Sequence, residues 1–238
     1  STIDSLAASI EVNNETPLIG SVRAISSQEV KERIFDTFPT QNRAVTQADY
    51  ENIASRMPGK FGSIKKVSVQ KDQDSLKRNL NMYVISEDKF GKLVKTNNAI
   101  KNNLKTWINQ YRMINDTIDI LDPYIINLGV EFVIKVLPSA DRNSALNAAV
   151  AVIADRFAKN YFIAQHFNLS DIYSELKRVT NILDVVKVRL VNKSGGQYSY
   201  VNFSIEENLA PEGNYLMCPK NAIFEIKYPQ IDVKGKVR

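Results

Sequence analysis

Residues 43–50 carry the densest local folding signal in the chain: Arg43-Ala44-Val45-Thr46-Gln47-Ala48-Asp49-Tyr50. The Thr46 hydroxyl is placed to cap a helix, and the Asp49 carboxylate, three residues on, can accept from the Thr46 N–H. Val45 and Tyr50 have the spacing of a hydrophobic staple around this pair. The stretch therefore predicts a helix that begins after Thr46 and ends before Pro58-Gly59.

A second helix of the same kind is predicted just upstream. Residues 25–30, Ile-Ser-Ser-Gln-Glu-Val, place Ser26 at the cap, with a glutamate three residues later and staple residues on both sides. Pro39 ends this pattern. Nearer the N-terminus, turn-forming residues and Pro17 interrupt a short helical turn, so we expect residues 1–24 to be an arm from a preceding region.

Downstream of residues 43–50 the apolar residues alternate, which is the pattern of strands. Residues 64–69 and 80–85 both show it, and we expect them to pair as an antiparallel hairpin. Helical spacing then predicts one apolar helix face, made by Ile100, Leu104, Trp107, Ile108 and Tyr111. A short strand around Ile118 and Ile120 follows, and Asp122-Pro123 marks a break.

The second half of the sequence begins with an alternating stretch at residues 130–136, typical of a half-buried strand. Asp141 and Ser170 are each placed to cap a helix. The expected inward residues are Leu146, Ala149, Val150, Ile153 and Phe157 in the first helix, and Ile172, Leu176 and Val179 in the second. Further strands are predicted at Val186, Val188 and Leu190, at residues 198–205 after a turn at Lys193-Ser194-Gly195-Gly196, and at residues 223–228.

This succession predicts an α+β fold with two small mixed, mostly antiparallel sheets and helices packed on one face. The N-terminal arm and two helices precede the sheets. We place domain boundaries so that residues 1–24 are the arm, residues 25–122 a helical pair with a β-β-α-β unit, and residues 123–238 a β-α-α-β-β-β unit.

The sequence contains no constellation typical of catalysis. His166 is the single histidine and Cys218 the single cysteine, so we expect a loop histidine and a small buried hydrophobe. The glycines form neither a dinucleotide-binding motif nor a phosphate loop. Asp116, Asp119 and Asp122 recur every third residue, but on a strand this spacing alternates faces, so solvated carboxylates are favoured over a calcium site. We therefore predict a protein that is not an enzyme and has no cofactor or metal.

Composition excludes several other classes of protein. Of the 238 residues, 44% are hydrophobic and 24% charged, which is ordinary for a globular domain and unlike a disordered chain. One cysteine excludes an intrachain disulfide framework. No run approaches the roughly 18 apolar residues of a membrane span.

A nucleic-acid-binding module is the alternative that the charges leave open. The net charge is +5, from 31 Lys and Arg against 26 Asp and Glu. Cations cluster near the predicted hairpin and the Trp107 helix: Lys65, Lys66, Lys71, Lys101, Lys105 and Arg112. Tyr198 and Tyr200 share a face of a predicted strand and are able to stack bases. A solubilising face and cross-strand packing explain these residues more simply, so we expect no nucleic-acid partner.

The motif residues Arg43, Ala44, Val45, Thr46, Asp49 and Tyr50 resemble the baseplate J-like family of contractile phage tails and related injection machines. The following Met57-Pro58-Gly59 and Ile64-Lys65-Lys66-Val67 continue the family pattern of helix, turn and strand. The asparagine- and lysine-rich composition and the layout are most similar to the wedge subunits of T-even-type phages, of which this chain resembles a C-terminal portion.

The resemblance implies a structural role in the virion. Such proteins form a homodimer or a higher ring around the hub, with other baseplate wedge proteins and sheath-platform proteins as partners. The location that it implies is the tail baseplate, assembled in the host cytoplasm, with no small-molecule substrate and no membrane. For Arg43 two roles stay open, an ion pair with a nearby carboxylate and a contact between subunits.

Overall fold

The computed structural model describes residues 43–72, 79–88, 90–157 and 161–238, together with Ser27, Lys31 and Ile34, which are helical. The predicted arm, the cap at Ser26 and the helix end at Pro39 lie outside the described residues. From Gln47 onward the described residues form six helices and ten strands. None of the described helices combines the length and the apolar character needed to cross a bilayer.

The helices are α1 Gln47–Ser55, α2 Asn98–Ile108, α3 Arg142–Phe157, α4 Leu169–Arg178, α5 Ile205–Asn208 and α6 Pro229–Asp232, with a 3-10 turn at Gly59–Phe61. The strands are β1 Lys66–Lys71, β2 Asn79–Glu87, β3 Leu93–Lys95, β4 Thr117–Leu121, β5 Tyr124–Val136, β6 Phe167–Asn168, β7 Ile182–Lys193, β8 Tyr215–Leu216, β9 Ala222–Glu225 and β10 Val233–Val237.

The first sheet is built around β2, which pairs antiparallel with β1 and β3 and parallel with β4. Helices α1 and α2 pack against it and bury a core that includes Tyr50, Ile53, Met82, Ile100 and Leu104. The predicted hairpin is confirmed. The predicted Trp107 helix also forms, but it ends at Ile108, so that Tyr111 lies in the turn after it.

The second sheet is built around the long strand β5, which pairs antiparallel with β7 along one edge and parallel with β9 and β10 along the other. Helix α3 packs near β10 and α4 packs near β7. The enclosed core is rich in large side chains, among them Phe132, Ile153, Phe167, Ile172 and Phe224. A two-stranded sheet of β6 and β8 lies beside it.

These sheets confirm the predicted α+β class. Both larger sheets are mixed, and four of the seven strand pairings in the described residues are antiparallel. The division of the chain into three domains stays a prediction.

Two of the predicted local features are wrong. Ser170 does not cap α4, since the helix begins at Leu169 with Asn168 at the cap position and no capping side chain. The start is set instead by tertiary pairing, because the Leu169 N–H donates to Asn214 O at 2.9 Å. Val186, Val188 and Leu190 do lie in a strand, β7, as predicted, but their alternation fails at Val186, because a bulge between Val185 and Lys187 turns that side chain out to solvent.

The strand predicted at residues 198–205 is also wrong. The turn before it does form, with Gly195 at φ +82° and Gly196 at φ +61°. The chain that follows is irregular and is held by side chains, since Asn127 Oδ1 accepts from the Ser199 N–H at 2.8 Å. Tyr198 and Tyr200 therefore do not share a strand face, and Tyr200 is 86% exposed.

The last predicted strand is shorter than expected. Strand β9 ends at Glu225, and the chain then forms α6 and the final strand β10, which the sequence did not predict. Gly235 in β10 lies so close to the core that a Cβ would stand 2.6 Å from Leu146 Cδ1. A lysine-glycine-lysine strand of this kind lacks the alternation that identifies a strand, because glycine replaces the inward side chain.

Candidate functional site

The motif at residues 43–50 forms the capping box that its spacing predicts. The Asp49 N–H donates to Thr46 Oγ1 at 3.2 Å, and the Thr46 N–H donates to Asp49 Oδ2 at 2.8 Å. The Val45 N–H donates to the same carboxylate oxygen at 3.1 Å. Burial raises the pKa of Asp49, but the hydrogen bonds from Thr46 and Val45 outweigh it and leave that pKa below its usual value.

The predicted hydrophobic staple does not bury Val45, whose side chain is 57% exposed. Tyr50 is fixed in another way: its hydroxyl donates to Asp116 Oδ2 at 2.8 Å and accepts from the Met113 N–H at 3.2 Å. The Ala44 N–H donates to Tyr111 O at 2.9 Å. The motif is therefore joined at two points to the loop between α2 and β4.

Replacing Thr46 with alanine is expected to lower the free energy of unfolding by about 1 kcal/mol, because the helix start loses its side-chain acceptor. Chemical denaturation of the folded chain measures this change. Thr106→Ala is the matched control, since Thr106 is exposed inside α2 and alanine is a better helix former there. Equal losses in both variants would contradict the role of the cap.

An exposed surface lies beside this junction, and we call Arg43, Val45, Met113 and Ile114 the motif patch. These residues stand on the two segments that the Tyr50 and Ala44 hydrogen bonds hold together. Ile114 is 95% exposed, and Val45 and Met113 are also well exposed. Arg43 is exposed and forms no ion pair with any described residue. Of the motif, Ala44, Thr46, Asp49 and Tyr50 thus build the fold, and Arg43 and Val45 face solvent.

The three aspartates do not converge on one point. Asp116 is buried against Tyr50, Asp119 accepts from Asn79 Nδ2 at 2.8 Å, and Asp122 accepts from Lys101 Nζ at 2.7 Å. The expectation that all three are solvated is wrong for Asp116. Within the described part of the chain, no cluster of His, Cys, Asp and Glu is suited to a metal ion.

His166 and Cys218 are neighbours, but the contact does not involve the thiol. The Cys218 N–H donates to His166 Nδ1 at 3.0 Å, and Cys218 Sγ donates to Ala222 O at 3.4 Å. Burial raises the pKa of the thiol to about 12, and a hydrogen bond from the Ala164 main chain only partly opposes it. The pair therefore lacks the thiolate that a cysteine nucleophile requires.

Most of the cations singled out in the sequence have partners within the protein. Lys65 pairs with Glu87 at 2.9 Å and Lys101 pairs with Asp122 at 2.7 Å. Lys66 Nζ lies 3.8 Å from the centre of the Phe162 ring, and Arg112 Nη1 donates to Asp116 O at 2.5 Å. These contacts compete with phosphate binding at the hairpin and along α2.

A buried carboxylate, Glu225, joins the two larger sheets. Its Oε1 accepts from the Leu93 N–H at 2.9 Å and its Oε2 accepts from Asn127 Nδ2 at 2.8 Å. Burial raises the pKa of Glu225, while these hydrogen bonds and the charges of Lys227 and Lys92 oppose the rise without cancelling it. Sequence analysis did not single out this residue, although a glutamate directly after Ala-Ile-Phe in a strand was a usable signal.

Glu225→Gln is expected to remove a pH-dependent part of the stability. Because the folded pKa is raised, Glu225 favours folding below its ordinary pKa near 4.5, and this contribution is lost as pH rises through the folded pKa. The difference in unfolding free energy between wild type and Glu225→Gln should therefore fall from pH 4 towards neutral pH. Urea unfolding at several pH values measures it, with the exposed Glu207→Gln as control. A difference independent of pH would contradict the raised pKa.

The comparisons with known proteins bear on the fold. No family model matches the sequence, and no curated protein matches it. The structure is similar to a chain in the cryo-EM structure of the anti-feeding prophage baseplate, six-fold symmetrised, with a TM-score of 0.50 and 11% sequence identity. The match covers 84% of this chain and 41% of that chain, so this chain spans about two fifths of the length of the protein it matches. At this identity the likeness shows a shared fold.

Proposed function

We propose that the chain is a structural component of the baseplate wedge of a contractile tail. The observation that carries the proposal is the shared fold over 84% of the chain with a subunit of a prophage baseplate. A fold alone does not fix a function. The resemblance of residues 43–50 to the baseplate J-like family is an independent second support, since it rests on sequence rather than on shape.

In this proposal the chain acts through contacts and not through a reaction. Four motif residues are occupied in capping, burial and hydrogen bonds within the fold. Interfaces between permanent subunits have an apolar centre, and the motif patch offers Val45, Met113 and Ile114 on the surface. We assign Arg43, the charged residue of this patch, to a contact between subunits. The chain binds copies of itself and other wedge proteins in the ring around the hub, within the virion.

Self-association is tested by light scattering across a concentration series. The proposal predicts a mass that rises from monomer to dimer or higher, because a permanent contact buries roughly 2,000 Å² or more. A strict monomer at high concentration would show that residues 1–238 do not carry the dimer contact. If the Ile114→Lys variant no longer forms the dimer while the exposed control variant Thr106→Lys still does, the contact lies at the motif patch.

The nucleic-acid alternative makes a different prediction. Phosphate contacts release counterions, so binding would strengthen steeply as the salt concentration falls. A filter-binding assay at low salt that retains no DNA or RNA removes this alternative. The pairing of Lys65, Lys66 and Lys101 within the fold favours that outcome.

A further inference from the structure

Strand β7 has one unpaired edge. It pairs with β5 along the other edge over nearly its whole length, from Ile182 to Lys193. Among the described residues no strand pairs with its outer edge. An edge strand presents a row of main-chain donors and acceptors that can pair with another extended chain.

The direction of the main-chain groups on β7 follows from one contact. The Val188 N–H donates to the Tyr173 hydroxyl of α4 at 3.1 Å, so it points away from β5. In an antiparallel pair alternate residues turn both their N–H and C=O groups to the same edge, which places Leu190 and Asn192 outward with Val188. Tyr173 occupies the first of these positions. No described loop or helix bonds the Leu190 or Asn192 N–H.

An open groove of about 510 Å³ runs along this edge. Residues 187–192 of β7 form one wall. The opposite wall has four apolar and two polar side chains: Leu169, Phe203, Ile205 and Leu209, with Ser204 and Glu206. Asn192 also lines the groove, and its Oδ1 is buried without a hydrogen-bond partner among the described residues. The groove thus combines a mostly apolar wall with main-chain and side-chain groups that lack partners.

The other face of β7 is basic. Lys187 and Arg189 alternate with the inward residues Val188 and Leu190 and are exposed. The register continues this charge across the sheet: Lys187 lies in one row with Lys236, and Arg189 lies in the next row with Glu131 and Lys234. A strand added at the edge would place every second side chain next to Lys187 and Arg189.

We propose that the outer edge of β7 receives an extended segment of another protein, in which apolar and acidic side chains alternate. The segment pairs with the main chain at Leu190 and Asn192, its apolar side chains fill the groove, and its carboxylates lie beside Lys187 and Arg189. The inference rests on the proposed function in taking the partner to be a neighbouring subunit, and the binding site itself rests on the geometry of β7.

Two other occupants fit this edge less well. Pairing of β7 with a second copy of itself would set Lys187 and Arg189 against the same residues of the copy, which is unfavourable for like charges on adjacent strands. A single-stranded nucleic acid would need aromatic side chains on the basic face for stacking. Among the described residues of that face, β5, β7 and β10 carry no aromatic ring.

The test uses labelled peptides of roughly eight residues, a common strand length, and fluorescence anisotropy with the whole chain. A peptide with alternating valine and glutamate should bind, and a peptide of the same composition with the valines first and the glutamates last should not. N-methylation of every second residue of the peptide can be made in two phases, on the odd-numbered or on the even-numbered residues. One phase should abolish binding and the other should be tolerated, because only every second main-chain N–H of the peptide faces β7. Equal binding of the alternating and block peptides, or equal effects of the two methylation phases, would overturn the proposal.

Protein variants provide the second arm. The double variant Lys187→Glu with Arg189→Glu should weaken binding of the valine-glutamate peptide by about tenfold, because two favourable charge pairs become repulsive. The same variant should strengthen binding of a valine-lysine peptide, because its lysines then face two carboxylates. The matched control is Lys234→Glu with Lys236→Glu on the same face, two strands and about 10 Å from the edge. Equal effects in the two double variants, or binding of an oligonucleotide in place of the peptide, would contradict the proposal. If the chain still self-associates while no peptide binds, this inference fails and the proposed function stands.

Discussion

Replacing Phe167 with alanine is expected to lower the free energy of unfolding by about 3–5 kcal/mol, the usual cost of truncating a large core aromatic. Phe167 has no exposed surface and lies at the centre of an aromatic cluster. Its ring centre is 5.2 Å from those of Phe157 and Tyr161 and 6.5 Å from that of Phe224. The cavity would be surrounded by the rings of Phe157 in α3, Tyr161 in the segment after α3 and Phe224 in β9, which have little freedom to close it.

Chemical denaturation measures this loss, provided that the dependence on denaturant concentration is unchanged. Tyr200→Ala is the control, because that ring is 86% exposed and its removal should cost within about 0.5 kcal/mol. A loss below about 1 kcal/mol for Phe167→Ala would show that β6 does not pack into the second core as described.

Tyr50→Phe is expected to lower the free energy of unfolding by about 1.5–3 kcal/mol, the range for a hydrogen bond to a charged group. The substitution keeps the ring in the first core and removes only the hydroxyl. Asp116, which is itself buried, would lose the donor at 2.8 Å, and the Met113 N–H would lose its acceptor. A double-mutant cycle with Asp116→Asn isolates the coupling between the two side chains.

The same hydroxyl gives a test at alkaline pH. Burial, the hydrogen bond to Asp116 and the negative charge of Asp116 raise the pKa of Tyr50 from 10 to about 12. Its contribution to stability is therefore present below pH 10 and is lost as pH rises towards 12. Tyr50→Phe should lose less stability than wild type over this interval, whereas Tyr200→Phe should behave as wild type. Parallel curves for all three proteins would contradict the buried hydroxyl.

Sequence patterns predicted the elements whose structure depends mainly on residues that are close together in the chain. The Thr46 and Asp49 capping box and the Asp141 cap form as expected, because each requires only a few neighbouring residues. The β1–β2 hairpin was predicted for the same reason, since both strands alternate clearly and follow each other in the chain. The break at Asp122-Pro123 also separates β4 from β5.

The parts that sequence analysis missed are set by contacts between distant residues. The start of α4 depends on Asn214, and the irregular chain at Ser199 depends on Asn127, so neither Ser170 nor residues 198–205 could reveal the outcome alone. The joint at Glu225 is of the same kind, since its partner Leu93 is 132 residues away. The same difference holds for the two candidate surfaces. The motif residues were identified from their spacing in the sequence, whereas the unpaired edge of β7 is known only from the order of the strands in the sheet.

Electron microscopy of contractile-tail particles that contain this chain with a tag after Arg238 tests whether it has a structural place in a tail baseplate. If it does, antibody label against the tag should decorate the baseplate end of every assembled tail. Label that is absent from complete particles, or that lies along the tail away from the baseplate, would contradict it.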